Sequence, residues 1–290
     1  MVQSGRMPSW IKVRLPPAGL LNRTKSILRT KGLHTVCEEA LCPNIGECFS
    51  CGTVTFMILG NTCTRSCPFC AVAKGKPLPP DPDEPLKVAE AVAQLGIKHV
   101  VITSVDRDDL PDGGADHFVR TIQEVKKRNS NVTVEVLIPD FQGSYDALAK
   151  VVEAKPDILN HNIETVPRLH PIVKPKSDYK RSIELLKRAK IMAPHMYTKS
   201  GLMVGLGETK EEVLSVMKDL RAVGCDMLTI GQYLRPPGSR LEVKEYVLPE
   251  TFEWYKAKGE ELGFMFVASA PLVRSSYNAG EVGLRVLTHS

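Results

Sequence analysis

From about residue 53 onward the chain alternates short, β-branched apolar runs with amphipathic stretches of helical period. No other feature restricts its fold as much. The runs are TVTFMIL (53–59), HVVIT (99–103), VTVEVLI (132–138), DILN (157–160), TKSGLMV (198–204), CDMLTIG (225–231) and FMFVA (264–268). Short segments rich in Val, Ile, Thr and Phe predict strands. Between them, LKVAEAVAQLG (86–96) ends at Gly96 and ADHFVRTIQEVKKR (115–128) closes on a basic turn that suits the helix dipole. SYDALAKVVEA (144–154), YKRSIELLKRAK (179–190) and TKEEVLSVMKDLRAVG (209–224) are helical patterns too, the last opening acidic and closing on Gly224. Strands alternating with helices require crossover connections and hence a parallel sheet. Six or seven such units predict an α/β fold with a full or partial TIM-like barrel. An open doubly wound sheet is the competing topology. No gap is long enough for a linker, so residues 53–268 form one body. Residues 1–52 read as an extension that wraps it, and 269–290 as a tail.

Composition narrows the class. A chain of 290 residues with 43% apolar content can bury one large core or two small ones, and α/β barrels of this length run as a single domain. Lys and Arg exceed Asp and Glu by 38 to 33, a modest +5, with no basic helix or aromatic-interleaved basic stripe to meet nucleic acid. No apolar run approaches the roughly 18 residues of a membrane helix. The opening MVQSGRMPSW lacks the apolar core of a signal peptide. The expectation is a cytoplasmic monomer that uses neither membrane nor nucleic acid. In a reducing compartment, patterned cysteines read as metal ligands or catalytic groups rather than disulfides.

In a barrel, the active site lies at the C-terminal ends of the strands. NTCTRSCPFC, TSVDRDDLPDGG, NHNIET, GLGET and QYLRPPGS each begin where a predicted strand ends. One site therefore unites them. Within the first, Cys63, Cys67 and Cys70 form CxxxCxxC. Thiolates select zinc, copper(I) and iron–sulfur clusters. Three are one short of the four that saturate a 4Fe–4S cubane, which leaves one iron open to an outside ligand. A structural zinc loop completed from elsewhere is the alternative. A second set, Cys37, Cys42 and Cys48 in CEEALCPNIGEC, reads from the residues alone as three thiols or as a zinc site completed by Cys51. Cys225 beside an apolar strand reads as an inert core thiol, and His34 and His161 as structural histidines.

CTRSCPFC after a first barrel strand resembles the defining motif of radical S-adenosylmethionine (SAM) enzymes, including Phe69 before its last cysteine. The resemblance implies a partial (β/α)6-type TIM barrel and a 4Fe–4S cluster on Cys63, Cys67 and Cys70. The open iron of that cluster holds SAM, and reductive cleavage yields a 5′-deoxyadenosyl radical. By the same likeness DGGAD (112–116) implies that Gly113 and Gly114 receive the methionine end. NHNIET (160–165) implies ribose contacts from Asn162 and Glu164, and GLMVGLGET (201–209) a place for Gly205 near the adenine.

The CxxxxCxxxxxC set, the PSWIKVRLP opening and the RSSY segment Arg274, Ser275, Ser276 and Tyr277 are similar to those of lipoyl synthases. The likeness spans about Trp10 to Tyr277. It implies an auxiliary 4Fe–4S cluster on Cys37, Cys42 and Cys48 with a serine as fourth ligand. Adjacent residues of an extended segment face opposite ways, so only one serine binds. Family pattern favours Ser276, and Ser275 is the other candidate. The implied reaction inserts two sulfurs, drawn from the auxiliary cluster, at carbons 6 and 8 of a protein-bound octanoyl-lysine. The implied partners are an octanoylated lipoyl domain or glycine-cleavage H-type protein, a ferredoxin- or flavodoxin-type electron donor, and an iron–sulfur carrier for cluster repair. Biotin synthase, which also inserts sulfur, and a zinc-stabilised module without catalysis are the competing identities.

Overall fold

The computed structural model describes residues 7–13, 18–50, 52–277 and 279–280. In chain order its elements are α1 (Ala18–Lys31), β1 (His34–Thr35), α2 (Val36–Glu39), α3 (Ile45–Ser50), β2 (Thr55–Ile58), β3 (Thr62–Cys63), β4 (Ala73–Lys74) and α4 (Glu84–Leu95). Then come β5 (His99–Ser104), α5 (Ala115–Arg128), β6 (Thr133–Leu137), α6 (Tyr145–Glu153), β7 (Ile158–Asn160), α7 (His170–Val173) and α8 (Tyr179–Met192). The chain continues through β8 (Tyr197–Val204), α9 (Lys210–Ala222), β9 (Met227–Gln232), α10 (Pro249–Glu261) and β10 (Phe266–Ser269).

The main sheet runs β1-β2-β5-β6-β7-β8-β9-β10, every pair parallel except β1 with β2. Strand order follows chain order throughout. A doubly wound sheet reverses direction at a switch point, so the barrel topology is the one adopted. Among the described residues β2 and β10 share no ladder, and the barrel is partial. Each of β2, β5, β6, β7, β8 and β9 is followed by a helix on the outside, which matches the expected six units, and β10 is added beyond them.

Local chemistry explains the helix limits. Gly96 ends α4 at φ 66°, a left-handed conformation that only glycine adopts cheaply. Thr209 and Glu212 cap α9 reciprocally, the Thr209 hydroxyl accepting from the Glu212 N–H and the Glu212 carboxylate from the Thr209 N–H. Each helix lays an apolar stripe on the sheet, as α5 does with the buried Phe118, Ile122 and Val125.

The seven predicted strands and five predicted helices are all present. The extension, however, is more ordered than its lack of periodicity suggests. It carries α1, which packs on α3 and α4 through the buried Leu28. Its polar residues interrupt the stripe, since Thr24 is itself buried and donates to the Phe49 carbonyl. α10 also escaped prediction, because Gly259 and a run of charges blur its apolar face. No helix among the described residues is long and apolar enough to cross a membrane.

The barrel interior is not purely apolar. Glu135 of β6 is fully buried and takes Lys199 Nζ of β8 on both oxygens, at 2.9 and 3.1 Å. Asn160 Nδ2 of β7 donates to Glu135 at 3.0 Å, and His99 of β5 lies 3.3 Å away. Burial alone would raise this carboxyl, but the Lys199 ammonium outweighs it, helped by His99, and holds the pKa at about 2.

Candidate functional site

The carboxyl ends of the strands enclose a cavity of about 460 Å³. Cys37, Cys42, Cys48, Cys63, Cys67 and Cys70 all line it. The structure thus unites two triplets that stand apart in sequence. Phe69, Asn162, Glu164, Ser275 and Ser276 line the same space.

The N-terminal triplet is held by compact local structure. The Thr35 hydroxyl caps α2, accepting from the Glu38 N–H at 3.2 Å, and so seats Cys37. The Cys42 N–H donates to the Cys37 carbonyl at 3.0 Å, and α3 presents Cys48. Antiparallel pairing of β1 on β2 brings this segment to the barrel mouth.

Cys63 ends β3, which pairs with β4 to brace the second triplet. The Arg65 N–H points at Cys63 Sγ, 3.4 Å away. The Arg65 side chain is 3% exposed and forks onto Asp108 through Nε and Nη2, both at 2.8 Å. Its Nη2 also reaches Asp140 at 2.7 Å, and its Nη1 lies 3.4 Å from Asp106. One guanidinium therefore ties the cysteine loop to the ends of β5 and β6. Bidentate geometry of this kind fixes orientation as well as charge.

Burial keeps three of the thiols protonated. Burial, with Asp106 nearby, pushes the Cys63 thiol up to about 11, and burial takes Cys67 to about 12 and Cys37 to about 11. Such thiols carry their protons at neutral pH until a metal displaces them.

The tail comes back over the barrel. The Gln232 N–H donates to the Pro271 carbonyl at 3.2 Å, and Asn44 Nδ2 of the extension donates to the Leu272 carbonyl at 2.6 Å. Two glycines make the seat. A Cβ at Gly231 of β9 would lie 2.1 Å from the Val273 carbonyl oxygen, and one at Gly201 of β8 would lie 3.3 Å from Ser275 Oγ. Close approach, not turn geometry, requires them. Arg274 Nη1 donates to the Val273 carbonyl at 2.6 Å. Burial lowers the Arg274 pKa, and Cys42 is the group that opposes this. No ion pair between Arg274 and a carboxylate occurs among the described residues. A cation on the same walls as three thiols and a serine hydroxyl fits an anionic cluster. The second triplet offers three thiols, with Lys174 and the carboxyls of Asp106 and Glu164 on the same walls. Those groups fit the carboxylate, ammonium and hydroxyls of SAM.

Gly113, Gly114 and Gly205 are not brought to this cavity. Gly113 lines a neighbouring polar cleft of about 380 Å³ that shares Arg65 and Asp106 with it. Gly114 precedes α5 at φ 92°, where a Cβ would lie 2.3 Å from Leu59 Cδ1. Gly205 has φ 98°, and a Cβ there would lie 2.1 Å from Gln232 Nε2. All three have positive φ, and Gly114 and Gly205 are also closely packed. Cys225 is fully buried in the core, as expected, and Cys51 lies outside the described residues. His161 is buried between the Ile138 carbonyl and Ser182, a structural arrangement, and His34 pairs with Glu39 at 3.1 Å.

Asp106 and Lys174 were not singled out in the sequence. The Cys63 thiol lies 3.7 Å from Asp106 Oδ2, and burial raises the Asp106 carboxyl against the pull of Arg65 and Lys174. TSVDRDD was marked as a strand-end stretch, but its three aspartates were indistinguishable until Arg65 had sorted them. Lys174 follows the short α7, whose four residues leave little periodic trace.

Comparison with known proteins agrees with this geometry. Residues 57–220 match the model of the radical SAM superfamily, and residues 2–42 match the N-terminal domain of lipoyl synthase of the radical SAM family. The chain is 61% identical to a lipoyl synthase of Caldanaerobacter subterraneus subsp. tengcongensis over 96% of this chain and 97% of that one. It is 57% identical to a lipoyl synthase of Alkaliphilus metalliredigens, covering 95% of each. Among solved structures it resembles methylornithine synthase (TM-score 0.54, 14% identity, 96% of this chain and 90% of that). It also resembles Streptococcus suis SuiB bound to S-adenosylmethionine (TM-score 0.60, 10% identity, 78% of this chain and 53% of that). These two distant likenesses speak for the fold alone. With a family model covering more than half of the chain and relatives of this identity along nearly its whole length, the chain belongs to the lipoyl synthases, enzymes of the radical SAM superfamily.

Proposed function

We propose that this protein inserts two sulfur atoms at carbons 6 and 8 of an octanoyl group carried on a lysine of a lipoyl carrier protein. The observation that carries this reading is the convergence of both cysteine triplets and Ser276 on one cavity. Cys63, Cys67 and Cys70 would hold a 4Fe–4S cluster that binds SAM, and Cys37, Cys42, Cys48 and Ser276 an auxiliary one. When bound, the two clusters supply reductive cleavage of SAM and the sulfur of the product.

The protein's own groups do the positioning. Lys174 suits the methionine carboxylate, and Asn162 and Glu164 suit the ribose. Apolar walls from Val36, Leu41, Met57, Leu137, Met203 and Tyr233 suit an acyl chain laid between the triplets. A radical attacks whatever C–H bond lies nearest, so confinement between the two sites sets which carbon reacts. An octanoylated lipoyl domain or glycine-cleavage H-type protein, a ferredoxin- or flavodoxin-type donor, and an iron–sulfur carrier that rebuilds the auxiliary cluster complete the scheme.

The test is anaerobic turnover with SAM, a reductant and an octanoylated lipoyl domain, read by mass spectrometry. Removal of Cys63, Cys67 and Cys70 abolishes SAM cleavage. Removal of Cys37, Cys42 and Cys48 leaves cleavage to 5′-deoxyadenosine and stops sulfur insertion. Thiolated product from the latter variant would overturn the assignment of the sulfur source.

A further inference from the structure

The two serines of the tail do different work. Both line the cavity shared with the N-terminal cysteines, but Ser275 is the one engaged by Asn162 at the end of β7. Its hydroxyl accepts from Asn162 Nδ2 at 2.6 Å, across 113 residues of chain. The Asn162 side chain also opposes the rise that burial imposes on the Glu164 carboxyl. Asn162 Nδ2 thus has an acceptor in the tail, while Asn162 Oδ1 is buried without a partner. A buried orphan oxygen is costly. The amide therefore takes this orientation because of what its nitrogen holds.

Glu164 is itself constrained. Its φ is 72°, the left-handed region, in a residue that is not glycine. Its backbone is pinned to β8, the Glu164 N–H donating to the Gly201 carbonyl at 3.0 Å and its carbonyl accepting from the Met203 N–H at 2.8 Å. Gly201 is also the residue whose missing side chain leaves room for Asn162 and Ser275, 2.9 Å and 3.3 Å from where a Cβ would stand. Glycine at that point of β8 thus serves the backbone clamp on Glu164 and the side-chain contact to the tail at once.

We propose that Ser275 is a positioning residue that links tail docking to SAM binding, through its hydrogen bond to Asn162. The proposal rests on the reading of Asn162 and Glu164 as the SAM side of the site. A docked tail orients the Asn162 amide on the wall that also carries Glu164, whose backbone β8 holds in place. Ser276 is the next residue along, so the segment that completes the auxiliary site also completes the SAM site. Thermodynamic coupling is reciprocal: SAM in place favours the docked tail, and an undocked tail weakens SAM.

The experiment is equilibrium dialysis of SAM against the cluster-loaded protein, with iron content measured on the same samples. Ser275→Ala weakens SAM binding by about tenfold, the worth of one hydrogen bond. In an Asn162→Ala background the same change has no further effect, because that bond is already gone. Ser275→Thr keeps the hydroxyl and restores affinity. A purely structural serine would instead lower auxiliary iron and leave SAM affinity untouched. Loss of that cluster is kept out of the comparison by repeating it in a chain lacking Cys37, Cys42 and Cys48, where auxiliary iron is absent from every variant. Unchanged SAM affinity on Ser275→Ala in both backgrounds, or an equal loss with and without Asn162, overturns the proposal. Failure of the functional reading itself looks different: SAM would still bind after removal of Cys63, Cys67 and Cys70.

Discussion

At the scale of single residues the site divides by chemistry. As the proposed fourth ligand, Ser276 would bring a hard oxygen into a set otherwise made of soft thiols, from a tail docked through carbonyl contacts and the Ser275 hydroxyl. Ser276→Ala leaves the fold and SAM cleavage intact while auxiliary iron becomes labile and sulfur insertion falls. Ser276→Cys retains iron more firmly, since thiolate is the softer ligand, yet makes less product if release of that iron exposes the sulfur. Iron content and product yield, measured side by side on the two variants, check both halves. A fully active Ser276→Ala protein would transfer the ligand role to Ser275. Spacing in the sequence left that choice open because it assigns no facing to two neighbouring residues. The hydrogen bond of Ser275 to Asn162 supplies the facing.

At the scale of elements, the CxxxCxxC loop owes its shape to an ion cluster rather than to secondary structure. Asp140 is fully buried on the β6 side, and burial alone would raise its carboxyl. Arg65, with His161 and the Gln142 N–H, brings it well below the usual range. Removing Arg65 leaves that carboxylate only Arg181 Nη1 at 3.2 Å and the Ser177 hydroxyl at 3.0 Å as side-chain partners among the described residues, so the cost stays below the about 3–5 kcal/mol of a buried pair broken outright. Arg65→Lys keeps the charge but not the fork, so it does not rescue fully. Iron retained by the protein is the readout. Arg65→Ala drops it from about eight per chain toward about four, with the loss confined to the Cys63, Cys67 and Cys70 site. A variant that keeps its iron and its SAM cleavage would sink the clamp. The spacing of the cysteines was legible in the sequence because three ligands must fall within one loop. The clamp was not, because Arg65, Asp108 and Asp140 become neighbours only when β2, β5 and β6 lie side by side. The glycines after β5 and β8 show the same limit. A strand-end glycine is the same letter whether it admits a ligand or merely a Leu59 methyl group.

At the scale of the whole molecule, the alternation of strands and helices specified the barrel, but nothing periodic marked the charges inside it. Glu135 sits in a run, VTVEVLI, that reads as an ordinary strand with an outward polar residue. In the barrel it faces inward, where Lys199, Asn160 and His99 from three other strands meet it. The cluster spans β5 to β8 and holds the staves of an unclosed barrel in register. Its effect on stability has a definite sign. The folded carboxyl titrates at about 2, against an ordinary value of 4.5. The stabilisation is therefore complete above pH 4.5, where the unfolded chain is ionised too, and is lost as the pH falls toward 2. Glu135→Gln leaves Lys199 buried without its anion and costs about 3–5 kcal/mol at neutral pH. Glu135→Met combined with Lys199→Met recovers much of that loss, since an apolar pair of similar volume removes both desolvation penalties. Urea unfolding of the iron-free chain between pH 7 and pH 3 measures all three, without interference from acid release of sulfide. The wild-type midpoint falls across the lower part of that range more steeply than that of the double Met variant, whose barrel has no carboxylate there to protonate. Parallel slopes for the two would mean that acid sensitivity arises elsewhere, with Asp140 and its Arg65 partner the next pair to replace.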